Sequence, residues 1–226
     1  MVKKLKFKVH RDQARLFALK RDEDRAMENH RTAERILKEE LVIGDKKALN
    51  QSMRQDFSIK IAKLQLLKGL WTSKFGFERS NEEMLEAFHL FADCMGSEEN
   101  YYGANCQLEI GQNYLRQKDN KTCEAFLNQA GEVYKQLFGE HHPINQKYYN
   151  YLSELYSYDE QKEPMLEMAQ KFLDIVVKTN KPSKKDAPPS LFTMDGYLQL
   201  ISMQCSSSRP GNEIDANIKI IEDICA

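Results

Sequence analysis

One stretch of this chain repeats another. "YYGANCQLEIGQNYLRQKDNKTCEAFLNQAGEVYKQLFGEHHP", starting at Tyr101, is followed directly by "INQKYYNYLSELYSYDEQKEPMLEMAQKFLDIVVK". A displacement of 42 residues superimposes small or apolar positions: Ile110 on Leu152, Gly111 on Ser153 and Tyr114 on Tyr156. Later in each unit Cys123 meets Met165, Leu127 meets Ala169 and Ala130 meets Phe172. Self-similarity at a fixed period of this size means stacked supersecondary units, each unable to bury its apolar face alone. Within each unit the apolar spacing is helical, and no alternating Val/Ile/Thr run signals a strand. The expected fold is all-α, a right-handed α-solenoid of helical hairpins.

The same texture extends towards the N-terminus. "SIKIAKLQLLKGLWTSKF" sets Ile61, Leu64, Leu67, Leu70 and Trp71 on one side of a helix. "SNEEMLEAFHLFADCM" follows, with Ser80 and Glu83 as a capping box and Leu85, Phe88, Phe91 and Met95 at helical spacing. "GFERS" joins the two into a hairpin. Residues 9–41 hold no Gly or Pro and many charges. Leu16, Leu19, Ala26, Ala33 and Leu37 form a weak stripe, interrupted by Glu23, His30 and Glu40, so a single long charged helix ending at Gly44 is expected. Beyond the repeats, "KPSKKDAPPS" at 181–190 reads as a linker. A last hairpin then has Asn212 and Asp215 as caps and Ala216 and Ile220 in the repeat register. The expected organisation is a basic arm and long helix over 1–57, about three hairpins over 58–180, the linker over 181–190 and a terminal hairpin over 191–226.

The repeat resembles the tetratricopeptide family, whose first helix carries L-G-x-x-Y and whose second carries A-x-x-x-F. Here Ile110-Gly111-Gln-Asn-Tyr114 precedes Cys123-x-x-x-Leu127-x-x-Ala130, and Leu152-Ser153-Glu-Leu-Tyr156 precedes Met165-x-x-x-Ala169. The earlier hairpin supplies Ala87-x-x-x-Phe91-x-x-Cys94, with Gly69 as the small residue of its first helix. The long period resembles the kinesin-light-chain type of repeat, with its G-x-x-H-P connector and L-N-N-L-A-x-L-Y helix. Gly139-Glu140-His141-His142-Pro143 and Tyr149-Asn150-Tyr151-Leu152-Ser153-Glu154-Leu155-Tyr156 carry that likeness, strongest over 101–178. The resemblance implies a protein-binding groove lined by first helices. By the family's register its positions fall on Asn105, Leu108, Gln112, Leu115 and Arg116, and then on Lys147, Asn150, Glu154 and Tyr158. The Lys and Asn cluster with which some members clamp a C-terminal carboxylate is not among them.

Charge adds one asymmetry. Lys3, Lys4, Lys6, Lys8, Arg11, Arg15, Lys20 and Arg21 stand against Asp12 alone in the first 21 residues, whereas the whole chain has a net charge of −1. A basic arm on an acidic body expects an anionic partner, such as a tubulin-like surface. No apolar run approaches a membrane span, and the basic start lacks the apolar core of a secretory signal. The five cysteines are scattered without a C-x-x-C pair, which suits a reducing compartment.

Catalytic patterns do not emerge. His141 and His142 lack partners at metal-ligand spacing, and Pro143 makes them read as a joint between helices. Phosphate-binding glycine motifs and a nucleophile elbow are missing. The tyrosines of 148–158 read as packing, apart from Tyr158. The expectation is a non-enzymatic, cofactor-free scaffold or adaptor, cytoplasmic, in a cytoskeletal or ciliary (axonemal) assembly. Its partner is a protein in the groove or on the convex face, and no membrane. The alternatives are an RNA-associated repeat protein using the basic arm, and a helical fragment of a larger enzyme.

Overall fold

The structure, a computed structural model, describes residues 2–46, 51–179 and 219. The expected linker at 181–190 and the caps and register residues of the terminal hairpin (Asn212, Asp215, Ala216, Ile220) lie outside the described residues. The described elements are all helical: α1 (Val2–Leu19), α2 (Glu23–Lys46), α3 (Gln51–Thr72), α4 (Phe77–Met95), α5 (Tyr101–Arg116), α6 (Asn120–Phe138), a 3-10 turn (Pro143–Asn145), α7 (Gln146–Tyr158) and α8 (Lys162–Thr179). They fall into two compact units, Met1–Asp119 and Asn120–Ala226.

In the first unit each helix packs chiefly on its sequence neighbour, α1 on α2, α2 on α3, α3 on α4 and α4 on α5. Residues 9–41 are therefore not one helix. The chain reverses at 20–22, where Arg21 takes a left-handed conformation (φ 58°). There the Asp22 amide donates to the Phe17 carbonyl and the Arg21 amide to the Ala18 carbonyl, closing α1 with a Schellman motif. Nothing in the residue types announces that stop, because Arg pays a steric penalty in this conformation that Gly does not. The hairpin instead follows from what it buries. Ala14 and Ala18 of α1 and Ala26 and Ala33 of α2 are fully buried, and small side chains let two helices approach closely. The expected stripe is split accordingly: Ala26, Ala33 and Leu37 face inward, whereas Leu16 and Leu19 face solvent. Gly44 does not end α2, which continues to Lys46.

The α3–α4 hairpin turns without a left-handed residue. Phe75 and Gly76 both donate to the Thr72 carbonyl, and Gly76 is extended (φ 172°) as the N-cap of α4. Ser80 is thus no cap. It lies inside α4, buried, and its hydroxyl donates to the Gly69 carbonyl across the hairpin at 2.7 Å. Asn113 of α5 then donates to Ser80 Oγ and to Asn81 Oδ1, both at 2.8 Å, tying α3, α4 and α5 through one buried polar knot. Gly69 permits this approach, since a Cβ there would lie 2.5 Å from Met84 Cγ.

In the second unit α7 packs on α8 and α6 on α7, and the 3-10 turn touches all three. The joint between α6 and α7 is built from the residues of the histidine–proline connector. Gly139, left-handed at φ 83°, ends α6. His142 Nδ1 accepts the Ile144 amide, its ring stacks on Phe138, and Pro143 opens the turn. Buried Asn145 donates to the carbonyls of Gly139 and Glu140 at 2.8 and 2.9 Å. Tyr148, Tyr149 and Tyr151 are buried, and Tyr148 covers Gly131 of α6, where a Cβ would fall within the tyrosine ring.

Candidate interaction surfaces

The residues assigned to a groove divide between the two units, and each helix presents its own face. On α5, Leu108 and Leu115 are 1% and 2% exposed. They belong to the core and cannot meet a ligand, because α5 is buried over most of its circumference. Asn105 and Gln112 are half-buried and Arg116 is exposed, at spacings of seven and four that align them on one side. On α7, Lys147 and Tyr158 are exposed and Asn150 and Glu154 half-buried, again on one side. The Lys147 ammonium lies 5.4 Å over the Tyr151 ring. This face combines a cation, an amide, a carboxylate and a phenol above a tyrosine-rich core.

The basic N-terminal segment is not a free arm. Lys3, Lys4, Lys6, Lys8, Arg11 and Arg15 lie within α1, whose small inward residues bind it to α2. Lys20 and Arg21 form the turn after it. Lys6, Lys8, Arg15, Lys20 and Arg21 are exposed, and half-buried Arg11 pairs with Asp12 at 2.8 Å.

The sequence pattern missed a cleft of about 490 Å³ between α1 and α3. Leu64, Leu67, Leu70 and Trp71 form its α3 wall, and Ala14, Ala18 and the partly exposed Leu19 its α1 wall. Arg11, Arg15 and Lys74 add cations to its lining. His30 of α2 also lines it, 3% exposed, with its ring 6.2 Å edge-on from Trp71 and no hydrogen-bond partner for Nδ1. Burial, reinforced by the Lys68 charge, lowers the His30 pKa to about 4, so the imidazole is neutral at pH 7. The available signal was the lone tryptophan beside three leucines at helical spacing, together with a histidine interrupting an apolar stripe.

Burial pushes the Cys106 thiol up to about 12, which leaves it protonated and unreactive. Among the described residues no group of three His, Cys, Asp or Glu could hold a metal ion. No described helix is long and apolar enough to cross a membrane.

Comparison with known proteins bears on the fold. No family model and no curated protein matches the sequence. Among solved structures, BtubC (BKLC) from P. vanneervenii matches with a TM-score of 0.65 and 16% identity, covering 99% of this chain and 91% of that one. A kinesin-light-chain-like protein of nearly identical TPR-like repeats from Podosopora anserina matches with a TM-score of 0.55 and 14% identity, covering 97% and 94%. The fold is tetratricopeptide-like. In its terms α3, α5 and α7 are first helices, with Gly69, Gly111 and Ser153 at their small position, each 42 residues from the next and all buried. The second helices bury Ser80, Met84, Ala87 and Phe91 in α4, and Cys123, Leu127, Ala130 and Tyr134 in α6. That displacement is 43 residues rather than 42, because Gly69 precedes Ser80 by 11 residues whereas Gly111 precedes Cys123 by 12, α3 ending sooner after its small residue than α5 does. In this fold, then, Asn105, Gln112, Arg116, Lys147, Asn150, Glu154 and Tyr158 are accessible side chains on first helices.

Proposed function

We propose that the chain is a non-enzymatic protein-interaction scaffold that binds polar peptide segments, α5 and α7 each presenting an accessible first-helix face of its own. The observation that supports this most directly is on α7. Three of its turns are buried on one side by tyrosine and leucine, while Lys147, Asn150, Glu154 and Tyr158 stay accessible in one row on the other. A tetratricopeptide-like fold supplies such rows as rigid, preformed surfaces, which lowers the ordering cost of binding. The setting is a larger assembly of the cytoskeletal or axonemal kind, reached through these helix faces.

Cross-linking mass spectrometry on native extract should name a protein partner with links to α5 or α7. Asn150→Ala combined with Gln112→Ala should weaken capture of that partner about tenfold, the effect of losing one or two partly buried hydrogen bonds. Capture that survives both changes would remove these faces from the interface. Failure to recover any protein, with recovery of RNA at low salt, would favour the RNA-associated reading.

A further inference from the structure

α1 is apolar on two opposite sides, and the larger side chains are on the outside. Its inward face consists of Ala14 and Ala18, supported by Phe7 and Phe17. Its outward face carries Leu5 (64% exposed), Val9 (45%), Leu16 (47%) and Leu19 (64%). Steps of four, seven and three residues place these four in one stripe along the helix, about 21 Å from end to end. Of the ten large apolar side chains exposed among the described residues, four are here, so the stripe is not the scatter of single apolar residues found on any surface. Exposed cations border it on both sides, Lys8 and Arg15 along one edge and Lys6 and Lys20 along the other. Asp12 lies within the stripe, and its carboxylate is engaged by Arg11.

We infer that the outward face of α1 is a docking site for an anionic phospholipid bilayer. An apolar crest between two cationic edges is the arrangement that settles at a headgroup boundary, with leucines among the acyl chains and lysines extended towards the phosphates. Charge decides between occupants. An acidic protein tail would satisfy the lysines and leave four large apolar side chains in water, whereas an anionic bilayer satisfies both. The helix is already folded and held on α2, so docking requires no coil-to-helix step. This contact is peripheral and uses none of the residues of the α5 and α7 faces.

The test is co-sedimentation of the full chain with phosphatidylcholine vesicles and with vesicles containing phosphatidylserine. Binding is expected to the second kind only, and to weaken as salt is raised. Lys8→Gln and Arg15→Gln should each reduce it about fivefold, and Leu5→Gln with Leu16→Gln should abolish it. All four positions are exposed, so the circular dichroism of the variants should match the parent, and the parent should gain no helical signal on vesicles. The inference is overturned if no vesicle binding occurs, or if the leucine variant binds as well as the parent. It is overturned equally if the chain ignores vesicles but forms a dimer that Leu5→Gln with Leu16→Gln disperses, which would make the stripe an interface between copies.

Discussion

Two residues show how individual positions constrain this fold. Gly131 has no side chain because the Tyr148 ring occupies that space. Gly131→Ala therefore overpacks the α6–α7 contact and should cost about 1–3 kcal/mol, even after the gain in helix propensity. Urea unfolding followed by circular dichroism measures this, and Tyr148→Leu in the same chain should recover part of the loss. His30 couples stability to pH. Its folded pKa of about 4 lies below the ordinary value of 6.5, mainly through burial and then through Lys68, opposed by Glu34 and Glu83. Between those values the unfolded chain binds more protons than the folded one. Stability contributed by the neutral ring is thus complete above pH 6.5 and lost as pH falls towards 4, by up to about 3 kcal/mol. His30→Leu should flatten the midpoint-against-pH curve across that window. Neither role was readable from the sequence. Gly131 falls in a helix where glycine has no local reason to be, and His30 interrupts an apolar stripe without showing what surrounds it.

Elements end by a shared device. α1, α5 and α7 each close with a left-handed residue two positions past the helix, at Arg21, Lys118 and Glu160, with paired hydrogen bonds back to the last turn. Lys118 and Glu160 are 42 residues apart, so the repeat extends to its turns. Sequence reading looks for Gly or Asn at such sites and finds charged residues instead, which is why the reversal at 20–22 went unseen while the glycine-marked end of α6 did not. Substituting Gly at either Lys118 or Glu160 removes the Cβ penalty and should raise unfolding free energy by about 1 kcal/mol. Denaturant midpoints compared at unchanged m-value would check it. A fall in stability would mean that the unfolded chain's gain in entropy outweighs the strain.

At the scale of the molecule, packing runs between sequence neighbours within each unit, which makes stability close to a sum of local terms. A lesion should then stay local. Gly131→Ala should speed amide exchange in α6–α8 while α1–α4 keep their protection, as hydrogen-exchange mass spectrometry by peptide would record. Uniform acceleration along the chain would show instead that the two units unfold as one.

The sequence alone determined the repeat and its period, the helical class, the small residue in each first helix and the histidine–proline joint. These depend on contacts a few residues away in the chain, so periodicity and spacing encode them. Only the tertiary structure decided which surfaces remained open. Helical spacing identifies apolar faces but not which one finds a neighbour. Leu108 and Leu115 fit a groove by register, yet both are buried in the core. Leu16 and Leu19 fit a buried stripe, yet α1 turns its alanines inward and leaves its leucines to solvent, because two helices approach most closely through their smallest side chains.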